Sequence, residues 1–303
     1  MKYLGVDIGG TSVKLGVVDD EGKIICKKNY SVSFDFYETP IIETVKKSIR
    51  KFLKDNFLNL KEIEKIGVSA TGQINTSTGE VVGVGGNIKN WLGTNIKKEL
   101  EMEFKKEVSV INDANSMVIG EMYKGAGVLY KNIIGITIGT GVGGGIIVDS
   151  KILNGSIGIG GEIGHFSIDR NGVECTCGNK GCLERYASTK ALIKKVKEAF
   201  EEEDFTGEDI FDEINKDNRK MKTIVDEWIE DLAKGLTSLV HIFNPEIIIV
   251  GGAISVQEEN FINPLRKKIL EKVMPKFSEN LIIERAILEN DAGLIGAIYN
   301  LNR

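Results

Sequence analysis

The sequence predicts an α/β protein of two domains, and three observations support this fold class. The 303 residues are enough for two domains of roughly 150 residues each. Short apolar segments of strand length alternate with segments whose apolar residues recur at helical spacing. Many of the 35 glycines are concentrated in loops beside the predicted strands, where α/β folds form ligand crevices. We therefore expect these loops to carry the function.

The composition is that of an ordinary soluble globular protein. Hydrophobic residues make up 42% of the chain and charged residues 27%, which is ordinary for a globular protein. A net charge of -5, with basic and acidic residues interspersed, argues against a nucleic-acid partner, which would need a basic stripe. No apolar run approaches the ~18 residues of a membrane span, so no membrane partner is expected. The first residues lead directly into a predicted strand rather than a signal peptide, and the clustered cysteines suit a reducing cytoplasm.

Residues 3–18 predict a β-hairpin whose turn contains Gly9, Gly10 and Thr11. Consecutive glycines allow positive φ and a close approach to a ligand, and the N–H groups of such a turn form a concave anion site. Asp7 would hold a hydrated Mg²⁺ beside that anion, because magnesium keeps several waters and takes one or two carboxylates. A plain hairpin turn preceded by an aspartate is the alternative.

Two further loops in the first half carry candidate polar groups. The glycine-rich loop 83–87 ends at Asn87, a candidate partner for a sugar hydroxyl, although asparagine in such a loop is just as often turn chemistry. An apolar strand at 108–111 is followed by Asn112, Asp113 and a helix. Asp113 is therefore either the N-cap of that helix, where aspartate is favoured, or a general base at the mouth of a crevice.

Residues 132–149 predict two strands joined by a glycine-rich segment from Gly139 to Gly145. The segment contains Gly-x-Gly-x-x-Gly, but the dinucleotide fingerprint requires a helix after the turn, whereas 146–148 predict a strand. The protein-kinase and Walker A patterns are also missing from the sequence. We interpret the segment as a second glycine turn that resembles the first, and two such turns could clamp one polyphosphate.

Residues 160–184 contain three of the four cysteines and one of the two histidines. These side chains are His165, Cys175, Cys177 and Cys182. Cys-x-Cys does not readily form a disulfide, and the glycines of this stretch allow a tight loop that turns the thiolates toward one point. Three sulfurs and one imidazole form the closed tetrahedral set of a structural zinc site, with free thiols on a loop as the alternative.

Two carboxylates, Glu162 and Glu184, flank this predicted metal loop. A metal that fixes the loop would also fix these hydrogen-bond acceptors, and rigid acceptors suit a polyhydroxylated ligand. The loop therefore predicts a sugar pocket, with two exposed surface glutamates as the alternative.

The remaining segments continue the alternation of helices and strands. Gly251 and Gly252 follow a predicted buried strand and form a third glycine turn that could admit a flat ring such as adenine. The charged segment 201–220 predicts a solvated connector, and His241 is assigned no chemistry. Further predicted helices are 38–57, 94–104, 186–200, 221–243, 260–274 and 291–301, and further strands are 23–33, 63–71, 247–250 and 281–285.

The motifs together resemble a known family. The turns Asp7-x-Gly-Gly-Thr11 and Gly139-Thr-Gly-x-Gly-Gly-Gly145 are similar to the phosphate hairpins of the sugar-kinase branch of the actin-like ATPases. With the loop His165…Cys175-x-Cys177…Cys182, the chain resembles the ROK family (repressors, open reading frames and kinases) over essentially its whole length. The resemblance implies an α/β, two-domain actin-like ATPase (ribonuclease H-like) fold with an interdomain cleft.

The resemblance also implies a division of the chain and a set of roles. The N-terminal domain would comprise 1–113 plus the C-terminal helix 291–303, and a larger domain of 114–290 would carry the zinc loop. Asp113 would be the catalytic base. The sugar contacts would be Asn87, Asn112, Glu162, His165 and Glu184, with His165 also a zinc ligand. The nucleotide and its Mg²⁺ would be bound by Asp7, Gly9, Gly10, Thr11, Thr140 and Gly141, and the nucleoside by Gly251 and Gly252.

The implied activity is ATP-dependent phosphorylation of a hexose hydroxyl, with the 6-OH of glucose as the first expectation and N-acetylmannosamine as the second. Fructose and β-glucosides stay open as substrates. The alternative of another class is a non-catalytic sugar-sensing regulator. Asp113 and both glycine turns argue against it, and with a hairpin beginning at Tyr3 we expect none of the N-terminal helix-turn-helix that the family's repressors carry. The zinc would be structural, and a homo-oligomer, either a dimer or a tetramer, is expected.

Overall fold

The computed structural model describes residues 1–33, 35–85, 88–201 and 204–302. The strands are β1 (Lys2–Ile8), β2 (Ser12–Asp19), β3 (Ile24–Ser31), β4 (Ile63–Ala70), β5 (Gln73–Asn75), β6 (Glu80–Gly83), β7 (Val108–Asn112), β8 (Ile133–Ile138), β9 (Val142–Val148), β10 (Lys151–Ile152), β11 (Ile247–Gly251) and β12 (Ile282–Arg285). The α-helices are α1 (Ile41–Asp55), α2 (Ile96–Phe104), α3 (Asp113–Lys124), α4 (Glu184–Ala187), α5 (Thr189–Ala199), α6 (Gly207–Asn215), α7 (Arg219–Phe243), α8 (Asn263–Lys272), α9 (Pro275–Ser278) and α10 (Ala292–Tyr299). Over these ranges, no helix combines the length and the apolar character that crossing a bilayer requires.

The first sheet has the strand order β3-β2-β1-β4-β7. β1 pairs antiparallel with β2 and parallel with β4, which pairs parallel with β7. Apolar side chains of β1 and β4 pack with Ile49 and Phe52 of α1 in one buried core. Because parallel strands end at the same edge of a sheet, the polar residues that follow β4 and β7 lie beside the end of β1.

The second sheet has the order β10-β9-β8-β11-β12 and repeats the pattern of the first. β8 pairs antiparallel with β9 and parallel with β11, which pairs parallel with β12. In both sheets a glycine turn joins the first antiparallel pair. The predicted hairpins at 3–18 and 132–149 are therefore confirmed, and a strand rather than a helix follows each turn.

The chain divides into two compact units. The first comprises Met1–Val128, Ile152–Gly161 and Asn290–Arg303, and the second comprises Leu129–Lys151 and Glu162–Glu289. This differs from the predicted division at Asp113, because α3 belongs to the first unit, where it packs against α10.

Glycines allow α3 and α10 to approach each other closely. A Cβ added at Gly296 would fall on the carbonyl oxygen of Ser116, and one added at Gly120 would fall on the carbonyl oxygen of Ala292. Ser116 Oγ also donates a hydrogen bond to Gly293 O at 2.9 Å. The last helix thus packs in the first unit, which the resemblance implied, and it binds α3 to that unit as well.

The predicted connector at 201–220 contains α6. Thr206 forms a capping box with Asp209, and Ile210, Phe211 and Ile214 are buried in the core of the second unit. The interpretation as a solvated connector was wrong for this part, because the many charges of the segment obscured an apolar stripe of one short helix.

Candidate active site and metal centre

Asp113 is the first residue of α3 and lies at the carboxyl end of the first sheet. The N-cap of α3 is Asn112, whose side-chain oxygen accepts hydrogen bonds from Ala114 N at 2.9 Å and Asn115 N at 3.2 Å. The interpretation of Asp113 as an N-cap was therefore wrong. Capping is done by the preceding residue, which leaves the Asp113 carboxylate for another role.

The surroundings of Asp113 favour its protonated form. Its pKa is raised from 3.8 to about 6, first because burial removes water from the carboxylate and second because Asp7 places a negative charge nearby. Hydrogen bonds from Ala114, Asn112 and Thr71 act in the opposite direction. A carboxylate with this pKa is ionised at pH 7 and is still basic enough to accept a proton.

Asn112 uses its whole side-chain amide inside the protein. Nδ2 donates to Gly72 O at 2.9 Å and to Asp113 Oδ1 at 2.9 Å, while Oδ1 accepts the two bonds of the helix cap. These four bonds match the two donors and two lone pairs of an amide. Asn112 therefore orients Asp113, and its sugar contact stays a prediction. The other predicted asparagine, Asn87, lies outside the described residues.

Asp7 is held at the end of β1 by three neighbours. Its Oδ1 accepts a hydrogen bond from Ser69 Oγ at 2.7 Å, and Lys14 Nζ lies 3.9 Å from Oδ2. Burial raises the pKa of Asp7, against the lowering effects of Ser69 and Lys14. A Cβ at Gly293 would lie 2.9 Å from Asp7 Cγ, so a glycine there lets α10 pack against the carboxylate.

Sequence reasoning missed Ser69 and Lys14, and it predicted close packing at Gly293 without connecting that glycine with Asp7. Ser69 carries a signal, because it is a hydroxyl residue in the apolar, buried second half of β4. Lys14 alternates with apolar neighbours in β2 like an ordinary surface residue. Gly293 is distant in sequence from Asp7, so only the fold reveals their contact.

The first glycine turn is held by hydrogen bonds to its carbonyl oxygens and by one from the Gly9 amide. Gly9 N donates to Ser12 O at 2.9 Å, and Val32 N donates to Thr11 O at 3.0 Å. Tyr37 Oη donates to Gly10 O at 2.6 Å. These bonds fix the shape of the turn, whose amide side is the one predicted to bind phosphate.

A cavity of about 580 Å³ adjoins this turn. It is lined by Asp7, Gly9, Ser12, Lys14, Lys27, Lys28, Asn29, Asn290 and Asp291. The lining joins the Asp7 carboxylate to a mostly basic face of β2 and β3.

The second glycine turn connects β8 to β9. Gly139 N donates to Gly141 O at 3.0 Å, and Thr189 N donates to Gly139 O at 2.9 Å. Thr140 is exposed. Glu184 Oε2 accepts a hydrogen bond from Val142 N at 3.0 Å. A residue predicted to bind the sugar therefore contacts the end of the turn predicted to bind phosphate.

The third glycine turn begins where β11 ends at Gly251. Gly252 has a φ of 102°, which favours glycine. A Cβ at Gly252 would fall on Ile138 O at the end of β8. The turn therefore packs against the strand that leads into the second glycine turn.

The predicted metal ligands form one cluster. The ligand atoms of His165, Cys175, Cys177 and Cys182 all lie within 4.8 Å of one another. Cys177 Sγ is 3.5 Å from Cys182 Sγ, and Cys175 Sγ is 3.6 Å from His165 Nδ1. Bonds of about 2.3 Å in a tetrahedron would place ligands roughly 3.7 Å apart. The donor set and its spacing therefore fit a tetrahedral metal ion.

The loop that carries these ligands has the predicted glycine geometry. Gly178 and Gly181 have φ values of 90° and 70°, which other residues rarely adopt. His165 presents Nδ1 to the sulfur atoms, while its Nε2 lies 4.0 Å from Glu162 Oε2. A carboxylate facing the second nitrogen of a ligating imidazole helps to orient the ring.

Comparison with known proteins finds relatives along the whole chain. The sequence model of the ROK family matches residues 3–303. A glucokinase of Thermotoga maritima is 32% identical over 313 residues, covering 98% of this chain and 96% of that protein. The structure of a ROK family glucokinase from Streptomyces griseus, in complex with glucose and AMPPNP, is 28% identical with a TM-score of 0.82, covering 98% of both chains. A Listeria monocytogenes structure, for which N-acetylmannosamine kinase activity is proposed, is 30% identical with a TM-score of 0.85, covering 100% of this chain and 99% of that one. These similarities confirm the predicted fold class.

Proposed function

The chain belongs to the ROK family, and from this premise we propose that it is an ATP-dependent sugar kinase. It transfers the γ-phosphoryl group of ATP to a hydroxyl of a hexose, and the 6-OH of glucose is favoured. The observation that carries the proposal is Asp113, a desolvated carboxylate with a pKa of about 6 near a second carboxylate, Asp7. A glycine turn adjoins Asp7, and the N–H groups of such a turn can position phosphate oxygens.

In the proposed mechanism Asp113 accepts the proton of the attacking sugar hydroxyl. Asn112 and Ala114 N hold Asp113 Oδ1 by hydrogen bonds of 2.9 and 2.8 Å, so the carboxylate has a fixed direction. The turns at Gly9–Thr11 and Thr140–Gly141 bind the phosphates through backbone N–H groups. Asp7 would hold a hydrated Mg²⁺ ion, which would supply positive charge to the phosphate oxygens.

The sugar is proposed to be bound by Asn87, Asn112, Glu162, His165 and Glu184. The short distance between Glu162 and His165 supports the assignment of these two, because a carboxylate acceptor beside an imidazole N–H donor suits neighbouring hydroxyl groups. The nucleoside is proposed to contact Gly251 and Gly252. We also propose a cytoplasmic location and a homo-oligomeric state, in line with the cysteine cluster and with the family resemblance.

A second candidate substrate is N-acetylmannosamine, favoured by the Listeria structure that shares 30% of its residues with this chain. An ATP-coupled assay with glucose, N-acetylmannosamine, fructose and a β-glucoside distinguishes the two. ADP release that requires a sugar supports the kinase proposal. Sugar binding without ADP release from any member of the panel would favour the non-catalytic regulator.

The activity is expected to fall below about pH 6. Asp113 is ionised above its pKa of about 6 and acts as a base only in that form, so kcat/KM should decline by about tenfold per pH unit on the acidic side. The measurement is kcat/KM between pH 5 and 8 with saturating MgATP. A fall in kcat/KM centred near pH 4, the range of an ordinary aspartate, would contradict a base whose pKa is raised by burial.

The metal is proposed to be a structural zinc ion, because three cysteines and one histidine leave no position for substrate. Removing it with a chelator is expected to lower sugar affinity roughly tenfold, which is about 1.4 kcal/mol, since the loop holds Glu162 and Glu184. Metal content and sugar Kd are the measurements. Cys182→Ser should lose the metal, whereas Cys26→Ser, outside the cluster, should keep it. Normal sugar affinity in metal-free protein would show that the ion does not support the sugar pocket.

A further inference from the structure

We propose that Glu184 also positions the second glycine turn for nucleotide binding. This inference rests on the proposed kinase function and gives Glu184 a role besides its predicted sugar contact. One carboxylate would then serve both substrates, with one oxygen on the phosphate turn and the other toward the sugar.

The contact that carries the proposal joins Glu184 to Val142. Val142 N donates to Glu184 Oε2 at 3.0 Å, directly after the turn residues Thr140 and Gly141. A Cβ at Gly141 would fall on this same oxygen. The glycine therefore makes room for the carboxylate, which occupies the place of a side chain in the turn.

Neighbouring segments fix the turn from other sides. Thr189 N donates to Gly139 O at 2.9 Å, so the first residue of α4 and the first residue of α5 both hold the turn. A Cβ at Gly164 would fall on Val142 O, so the start of the metal loop packs against the carbonyl of Val142. The N–H of the same residue donates to Glu184. The two flanks of the predicted metal cluster thus contact Val142.

The second carboxylate oxygen of Glu184 would couple sugar binding to nucleotide binding. Oε1 accepts no hydrogen bond from the part of the chain that is described, whereas Oε2 is engaged by Val142. A hydroxyl that binds Oε1 restricts the carboxylate further and so stabilises the turn. Bound sugar should therefore raise nucleotide affinity, and the reverse must hold by reciprocity.

The test changes the length and the charge of the side chain at position 184 separately. Glu184→Asp keeps the charge but is one methylene too short to meet Val142 N, so the affinity for MgAMPPNP without sugar should fall roughly threefold to tenfold. Glu184→Gln keeps the reach and a carbonyl acceptor, and its affinity should stay within about twofold of the wild type. Glu174→Asp, an exposed carboxylate on the same loop, is the matched control and should leave the Kd unchanged.

A residue that only binds sugar would not affect nucleotide affinity when sugar is absent. Wild-type affinity in Glu184→Asp would therefore overturn the proposal, as would a larger loss in Glu184→Gln than in Glu184→Asp. Gly141→Ala, which would displace the same oxygen, should add little to the loss in Glu184→Asp. Fully additive losses in that double-mutant cycle would count against the shared contact.

Amide hydrogen exchange separates this inference from the kinase proposal. Without any ligand, the Val142 amide should exchange faster in Glu184→Asp than in the wild type and the Glu174→Asp control. Unchanged exchange would refute the contact whether or not the protein is a kinase. Failure of the wild type to bind nucleotide would instead refute the proposed function.

Discussion

Asp113→Asn is expected to lower kcat by about 10²- to 10⁴-fold, the usual contribution of a general base. The asparagine keeps an oxygen for the hydrogen bonds from Asn112 and Ala114, so the fold and the sugar affinity should be preserved. Single-turnover rates and sugar Kd are the measurements. Asp226→Asn, an exposed member of an ion pair with Lys268 on α8, is the control. Unchanged turnover in Asp113→Asn would remove Asp113 from the mechanism.

The same variant should be more stable than the wild type at pH 8. The pKa of Asp113 is raised on folding, so its ionised form costs the folded state more than the unfolded state. This penalty is absent below pH 3.8, develops up to about pH 6 and is complete above it. We expect the free energy of unfolding of Asp113→Asn to exceed that of the wild type by roughly 1–3 kcal/mol at pH 8. Urea unfolding of both proteins at pH 8 and pH 4 measures this difference in stability. An equal difference at the two pH values would show that it does not come from ionisation of Asp113.

Gly296→Ala is expected to destabilise the protein by about 1–3 kcal/mol or more, as overpacking does. The added Cβ would fall on Ser116 O, so α10 and α3 would have to separate. Alanine is otherwise the better helix former by up to about 1 kcal/mol, so a net loss can come only from this contact. The midpoint of urea unfolding is the measurement. Gly85→Ala is the control, because no described atom outside its chain neighbours lies within 4 Å of a Cβ there.

Gly296→Ala should also reduce kcat, because α3 carries Asp113 at its first turn. Full activity in a destabilised variant would show that the active-site geometry does not depend on this helix contact. A variant as stable as the wild type would show that the two helices adjust at low cost.

The parts of the site that could be predicted from the sequence are local in sequence. Both glycine turns and the cysteine loop combine scarce residue types at short spacing, so their geometry follows from a few adjacent residues. Asp113 was recognised as a candidate, but a strand–helix junction places the N-cap and the first helical residue side by side. Only the structure showed that Asn112 caps the helix.

The parts that could not be predicted depend on contacts between distant segments. Gly293 meets Asp7, and Glu184 meets Val142, although no sequence pattern links the two members of either pair. The raised pKa of Asp113 also depends on Asp7, which the parallel pairing of β1, β4 and β7 brings near. Spacing patterns hold no information on such pairs, because they arise from sheet order and helix packing.

The position of α10 in the first unit has a consequence for biosynthesis. β1 and Asp7 are translated early, and α10, the helix that packs against them, is translated long after them. Until α10 arrives, the nascent chain exposes the glycine-lined groove of α3 and the adjoining strands. The first unit should therefore stay incompletely folded until α10 has been synthesised.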